Sequence, residues 1–190
     1  KSDMSGKCDS LHSNNKTQLT KMIGKPILWN NENQMTGDIM HLIGNNKTQK
    51  LDSLKVLNNA FIIQKDSLSK NGYNQIKGQN LYGKFVDSKL KEVDVVKNAE
   101  VIYYMYNDAN EFIGINKTVC SKINLELEEN KIDAITFFTK TDSHIYPEAD
   151  FPENARKLRG FLWRGDERIL SKDDIFPAEE IALDDKIQIE

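Results

Sequence analysis

The sequence lacks long hydrophobic runs, blocks of like charge and clusters of metal ligands. No segment approaches the roughly 18 uncharged apolar residues that a membrane-spanning helix needs. The 26 basic and 29 acidic side chains are interspersed and give a net charge of −3, so no nucleic-acid partner is expected. The two cysteines and three histidines are scattered, without the spacing of a zinc site. We therefore expect no metal and no cofactor.

Helical periodicity is also scarce, and the chain has only four prolines. Residues 1–147 instead alternate apolar and polar side chains, as in Leu54-Lys55-Val56, Val93-Asp94-Val95 and Ile123-Asn124-Leu125-Glu126-Leu127. Such alternation is typical of β-strands that bury one face. The sequence therefore predicts an all-β fold for this region.

One strand motif recurs along the chain. It appears at Lys50–Val56, at Lys89–Val95 and at Lys131–Phe137, with offsets of 39 and 42 residues between successive copies. Two copies are followed by an Asn-Ala pair, Asn59-Ala60 and Asn98-Ala99. Asparagine is prone to turns and alanine is small, which suits a bulge or a corner where a strand passes from one sheet to another.

Four units of this kind fill residues 4 to about 146, and the first is shorter than the others. One unit cannot bury its apolar face alone, whereas stacked units form a continuous core. The prediction is a repeat-built, open β-jellyroll of two facing antiparallel sheets. Cys8 and Cys120 fall in the first and fourth units, too far apart for a disulfide.

The alternation also predicts which side chains point between the two sheets. A register slip of one residue would turn each strand inside out, so the set is specific. The predicted inward residues are Met40, Leu42, Leu54, Val56, Ala60, Ile62, Leu81, Phe85, Val93, Val95, Ala99, Val101, Ile123, Leu125, Leu127, Ile135 and Phe137.

Several short segments, in this order and spacing, resemble the OstA-like proteins of Bacteroidetes-type bacteria. Those proteins are similar to LptA, the periplasmic component of lipopolysaccharide transport. The segments are Lys25–Trp29, Met35–Asp38, Tyr73–Gly78, Val95–Glu100 and Gly114–Lys117. The resemblance covers roughly residues 15 to 176.

The resemblance implies a V-shaped β-jellyroll whose apolar groove takes the acyl chains of lipid A. The inward residues would line this groove, and the family offers no catalytic residue to transfer. It also implies end-to-end β-strand augmentation with other lipopolysaccharide-transport proteins or with further copies of the chain. The location would be the periplasm of a Gram-negative bacterium, either as the bridge or as a membrane-associated relative. Because its first unit is short, the chain resembles part of a longer family member.

Two departures from a regular pattern lie near the C-terminus. No Asn-Ala pair follows Phe137, so the last unit is expected to end the groove or close it differently. Composition then changes, which divides the chain into a β-jellyroll domain at 1–147 and a C-terminal extension at 148–190. Proline at the start and Gly160 at the end predict a short helix over 152–159.

The remainder of the extension is predicted to be irregular. We expect it to pack Phe161 and Trp163 against the sheet, and the alternative is a docking segment for a partner. The stretch Ile187-Gln188-Ile189 would form one more strand or be disordered.

Two other classes of function fit parts of the sequence. A structural or adhesive β-repeat protein would have a filled core and act through its edges or its tail. A carbohydrate-active β-solenoid enzyme would need paired carboxylates, or a carboxylate and a base, on one sheet face. The inward positions are apolar and the outward acids do not recur at matched places, which disfavours the enzyme.

Overall fold

The computed structural model describes residues 4–30, 32–69, 71–128 and 131–171, and it is built almost entirely of antiparallel β-strands. The predicted strand at 187–189 lies outside the described residues. No helix in these ranges has the length and hydrophobicity to cross a membrane. The strands are β1 (Met4–Lys7), β2 (Ser10–Asn14), β3 (Leu19–Ile23), β4 (Ile27–Asn30), β5 (Asn33–Thr36), β6 (Ile39–Gly44), β7 (Leu51–Lys65), β8 (Tyr73–Val86), β9 (Lys89–Tyr106), β10 (Phe112–Glu128), β11 (Lys131–Phe138) and β12 (Asp142–Tyr146).

Four long strands, β7 to β10, each bend once and so contribute to two facing walls. The first half of β7 pairs with β6, and the second half pairs with β5. Wall one has the strand order β2-β3-β6-β7-β8-β9-β10-β11. Wall two has the order β1-β4-β5-β7-β8-β9-β10-β12. The predicted open β-jellyroll of two antiparallel sheets is thereby confirmed.

Pairs of consecutive residues with left-handed backbone form the corners between the walls. They are Gly24-Lys25, Asn58-Asn59, Lys97-Asn98 and Thr139-Lys140. At Asn58-Asn59 and Lys97-Asn98 the strand pairing skips the left-handed residues. Asparagine tolerates this conformation better than most residues, so its predicted role at the corner is confirmed.

The last unit forms its corner without the residue pair seen in the two units before it. Thr139-Lys140 makes the same left-handed corner without an Asn-Ala pair, and β12 then pairs with β10 in wall two. The backbone N–H of Ser121 donates to the carbonyl of Thr139 across this corner, at 3.2 Å. The fourth unit therefore supplies the last strand of each wall, β11 and β12, and its effect on a lipid groove stays a prediction.

Small residues face the corners from the adjacent strand. A Cβ added at Gly37 would lie 2.3 Å from Val56 Cγ1, and one at Gly78 would lie 2.6 Å from Val95 Cγ1. These glycines let the inward valines pack beneath the bend. Cys8 and Cys120 lie beside the corners of the first and last units, and both are free thiols.

Replacing Gly78 with alanine should lower the free energy of unfolding by about 1 to 3 kcal/mol, because the new Cβ would overlap Val95. Urea unfolding measures the difference. Gly44→Ala is the matched control, since its Cβ would meet the flexible Gln18 side chain at 3.2 Å. Equal losses of stability in the two variants would contradict the steric role of Gly78.

Candidate functional site

The inner face of wall one carries an apolar rung that crosses all eight strands without interruption. Its directly paired residues are Leu11, Met22, Met40, Val56, Leu81, Val95, Ile123 and Phe137. The middle of the rung is buried, whereas Leu11 at one end is 59% exposed and Phe137 at the other is half-buried. The apolar surface thus reaches both edges of the wall.

The facing rung of wall two is apolar for most of its length and polar at one end. Its paired residues are Gly6, Leu28, Met35, Ile62, Ile76, Val101, Thr118 and Ser143. The hydroxyls of Thr118 and Ser143 are 2.7 Å apart and share a hydrogen bond. We call the space between the two walls the trough.

All the predicted inward residues lie in one hydrophobic cluster between the walls. Those with no more than 5% exposure are Met40, Leu54, Val56, Ala60, Leu81, Phe85, Val93, Val95, Ala99, Val101, Ile123 and Leu125. The half-buried members that pack against them are Leu42, Ile62, Leu127, Ile135 and Phe137. Their assignment to lipid binding stays a prediction.

Side chains from the two walls fill most of the trough. A cavity of about 30 Å³ remains at its mouth, where Ile62 and Ile76 of wall two face Leu90 and Leu127 of wall one. That space is on the scale of a single water molecule.

The mouth of the trough also carries a row of amides that sequence reasoning missed. Asn30, Asn33, Gln64 and Asn74 lie on four adjacent strands of wall two, and each is paired with the next. All four border the cavity at the mouth. Three of them lie two residues from an inward residue on the same strand, namely Met35, Ile62 or Ile76, and Asn30 pairs with Asn33. Strict alternation would therefore have placed all four side chains inward. We call them the amide rim.

The extension packs across the outer face of wall two. Phe151 and Leu158 are buried there against Phe61, Ile63 and Ile102. We call residues 148–171 the strap. Wall two is consequently covered on both faces, by wall one across the trough and by the strap on the outside.

Two predictions about the strap have different outcomes. Phe161 and Trp163 do pack against the sheet, with their rings 5.1 and 5.5 Å from that of Tyr73, so that prediction is confirmed. The helix expected over 152–159 is wrong, since only a single 3₁₀ turn forms, at Glu153–Ala155. The division into two domains stays a prediction.

A buried glutamine explains why the strap leaves the helical path. Gln75 Nε2 donates to the carbonyl of Arg156 at 2.7 Å, and Gln75 Oε1 accepts from the N–H of Leu158 at 2.8 Å. The Gln75 side chain is fully buried. The bond to the Leu158 N–H uses a backbone donor that a helix over 152–159 would have needed for itself.

Gln34 holds the next part of the strap in the same way. Its Nε2 donates to the carbonyl of Leu162 at 2.7 Å, and its Oε1 accepts from the N–H of Arg164 at 2.6 Å. Gln34 and Gln75 each lie three residues before a corner glycine, Gly37 or Gly78. The repeat thus supplies two equivalent anchors, and their recurrence at an offset of 41 residues is the sequence signal that could have found them.

The end of the strap reaches the first strands of wall two. Arg164 binds Glu167 through two contacts of 2.7 Å, and Lys7 of β1 lies 3.4 Å from the same carboxylate. Hydrogen bonding by Arg164 lowers the pKa of Glu167 to about 2. The strap therefore runs from the last strand of wall two back to the first.

Wall one has a polar outer face. Lys122 forms an ion pair with Asp94 at 2.8 Å, and Asn124 donates to the same carboxylate at 3.0 Å. The two walls therefore differ in support, because the strap buries the outer face of wall two beneath a second hydrophobic cluster.

The described residues give little support to metal or enzyme chemistry. Within the described ranges, no group of three or more His, Cys, Asp or Glu side chains is placed to hold a metal ion. Asp142 and His144 form a 2.9 Å contact on β12, with side chains 76% and 61% exposed. An exposed pair on an edge strand is typical of a surface salt bridge.

Replacing Gln75 with methionine should lower the free energy of unfolding by about 2 to 4 kcal/mol, because two buried backbone groups of the strap lose their partners. Hydrogen exchange at the Leu158 amide should accelerate as well. Gln79→Met is the matched control, since Gln79 is an exposed residue of the same strand. Unchanged exchange at Leu158 would show that Gln75 does not hold the strap.

The Arg164–Glu167 pair should make strap stability depend on pH. Because the pKa of Glu167 falls from 4.5 unfolded to about 2 folded, its contribution is present above pH 4.5 and is lost as the pH falls towards 2. Its side chain is 40% exposed, so we expect only about 0.5 kcal/mol. Urea unfolding of wild type and Glu167→Gln at pH 6 and pH 2.5 measures it. The gap between the two proteins should shrink at low pH. A constant gap would refute the effect.

Comparison with known proteins supports the fold and goes no further. No protein family and no curated protein sequence matches the chain. Among solved structures it is similar to LptH of Pseudomonas aeruginosa, described as the LptA-homologous periplasmic component of the conserved lipopolysaccharide transport device. The TM-score is 0.55 at 16% sequence identity, over 77% of this chain and 100% of that chain. The chain therefore shares the β-jellyroll fold of LptH, and the OstA-like and Bacteroidetes-type assignments stay predictions.

Proposed function

We propose that this protein carries lipopolysaccharide in the periplasm, holding the acyl chains of lipid A in the trough and catalysing no reaction. The observation that carries the proposal is the apolar rung of wall one, which runs across eight strands and reaches both edges. The fold shared with LptH, a periplasmic component of a lipopolysaccharide transport device, supports it.

The trough has enough apolar surface for such a ligand. Each acyl methylene removed from water contributes about 0.8 kcal/mol, so a chain of about a dozen carbons gains on the order of 10 kcal/mol before losses. Some of this gain offsets the contacts between the walls that the ligand displaces, since the free cavity is only about 30 Å³.

Wall one is the wall that would move when the trough opens. Wall two is held from outside by the strap, through Gln34, Gln75 and the aromatic contacts of Phe161. The corners at Asn58-Asn59 and Lys97-Asn98 interrupt the strand pairing, so they are the natural hinge. Rotation of wall one about this line would admit chains along the length of the trough.

The ends of the trough suit assembly with neighbours. Edge strands β1 and β2 lie at one end, and β11 and β12 lie at the other. Leu11 and Ile145 are exposed at these ends, 59% and 57% respectively. Among the described strands these four are the edges of the two walls, and edge strands next to apolar side chains favour β-augmentation by a further copy or by another transport protein. Lipid would then pass along a continuous surface.

A filled-core structural or adhesive protein is the alternative, and one observation favours it. The inward side chains are packed closely enough to leave a cavity of only about 30 Å³. In that case the trough would never open, and the edges or the strap would carry the function.

Photocrosslinking from two adjacent phenylalanines separates these functions. Phe137 points into the trough, whereas Phe138 points outward beneath Lys122 and is 41% exposed. With p-benzoylphenylalanine at position 137, ultraviolet light should attach lipopolysaccharide to the protein. The same group at position 138 should give at most about one fifth of that yield, because this side of the sheet is not the apolar wall.

Equal labelling at the two positions, or none at either in a folded protein, would overturn the proposed function. Urea unfolding of both substituted proteins controls for folding. Because the two sites are neighbours on β11, they lie at the same distance from the edge of the wall.

A further inference from the structure

We infer that the amide rim binds the polar groups that join acyl chains to a sugar, namely amide and ester carbonyls and sugar hydroxyls. The trough would thus select an acylated sugar over a simple hydrocarbon. The inference rests on the proposed function and assigns a role to Asn30, Asn33, Gln64 and Asn74 that an apolar groove alone does not need.

The position of the rim is the first reason. Counting from the corner along the second half of β7, the inward residues are Ala60, Ile62 and Gln64; on β8 they are Gly78, Ile76 and Asn74. The amides are therefore farthest from the corner and closest to the mouth. A chain lying against Ile62 and Ile76 would leave the trough past the rim.

The two lips of the mouth differ in chemistry, which is the second reason. Opposite the amides, wall one presents Leu90, Leu127 and Ile132 around the same cavity. One lip is therefore hydrocarbon and the other is made of amides. An acylated sugar has the same division, because its chains are apolar and its linkages are polar.

The present bonds of the rim are weak enough to exchange. Asn74 Nδ2 donates to Gln64 Oε1 at 3.3 Å, and Asn33 Nδ2 donates to the carbonyl of Asn30 at 3.4 Å. Both are longer than the usual 2.9 to 3.0 Å, roughly the modal length for N–H···O bonds. Gln64 and Asn33 are half-buried, so a ligand at the mouth can reach them.

The physical chemistry of amides gives the selectivity. Each carboxamide has two donor hydrogens and an acceptor oxygen. Hydrocarbon pressed against the rim would bury the donors and acceptors that the bonds within the rim leave free, at a cost of about 1 to 3 kcal/mol for each. Linkage carbonyls accept from the amide nitrogens, and sugar hydroxyls bond to either end.

The test combines Gln64→Met with Asn33→Leu, which remove two of the four rim amides and keep similar side-chain volume. Asn74 is left intact, because its Oδ1 accepts from the N–H of Tyr104 at 2.8 Å within the sheet. The matched control combines Gln79→Met with Asn46→Leu, both at exposed positions. Binding is measured for purified lipid A and for diphenylhexatriene, a fluorescent hydrocarbon without hydrogen-bonding groups.

The rim variant should bind lipid A about tenfold more weakly than the control variant, since two or more hydrogen bonds are lost. It should bind diphenylhexatriene as tightly as the control or more tightly. Equal lipid A affinity in the two variants would overturn the role of the rim while leaving lipid carriage intact. A loss of both ligands would overturn it too, because the effect would then concern the whole trough.

Two further outcomes are informative. If the wild-type protein binds neither ligand, the proposed function fails and this inference fails with it. A diacyl phospholipid presents ester carbonyls but neither amide linkages nor sugar hydroxyls, so it should form fewer bonds with the rim and lose less affinity than lipid A in the rim variant, less than about threefold. A tenfold loss for the phospholipid as well would overturn the assignment of the rim to a sugar.

Discussion

Every long strand of this protein has to bend at the same level, and the rest of the structure depends on that constraint. The left-handed pairs at Asn58-Asn59 and Lys97-Asn98 set the level, and Gly37 and Gly78 leave room beneath it. Because the bends coincide, inward residues stay paired across eight strands in each wall. A bend displaced by one residue would turn half of a strand inside out and break the apolar rung.

The repeat places different side chains on the outer faces of the two walls. On wall two, Gln34 and Gln75 point outward at equivalent positions and bind the backbone of the strap. On wall one, the outer face keeps its polar side chains, such as Asp94 and Lys122. The same repeat therefore builds wall two, which the strap contacts on its outer face, and wall one, whose apolar contacts are mainly with wall two.

Alternation in the sequence was enough to predict the sheets, the inward set and the corners at the Asn-Ala pairs, because these depend on local backbone and on burial. It was not enough for long-range partners. The corner at Thr139-Lys140 has no asparagine, so its conformation comes from the surrounding sheet. The expected helix at 152–159 failed since Gln75, far away in sequence, takes the Leu158 N–H that it would need. The amide rim and the degree of closure of the trough depend on packing between walls, which periodicity does not report.

The path of the strap limits how many repeat units a chain with this strap length can hold. Wall two is eight strands wide, on the order of 34 Å at about 4.8 Å per strand, and the strap spans it from the last strand to the first. A duplicated unit would widen the wall while the strap kept its length and its two glutamine anchors. The strap length therefore matches a wall of this width, and a chain with one more unit would need a longer strap to reach the first strand.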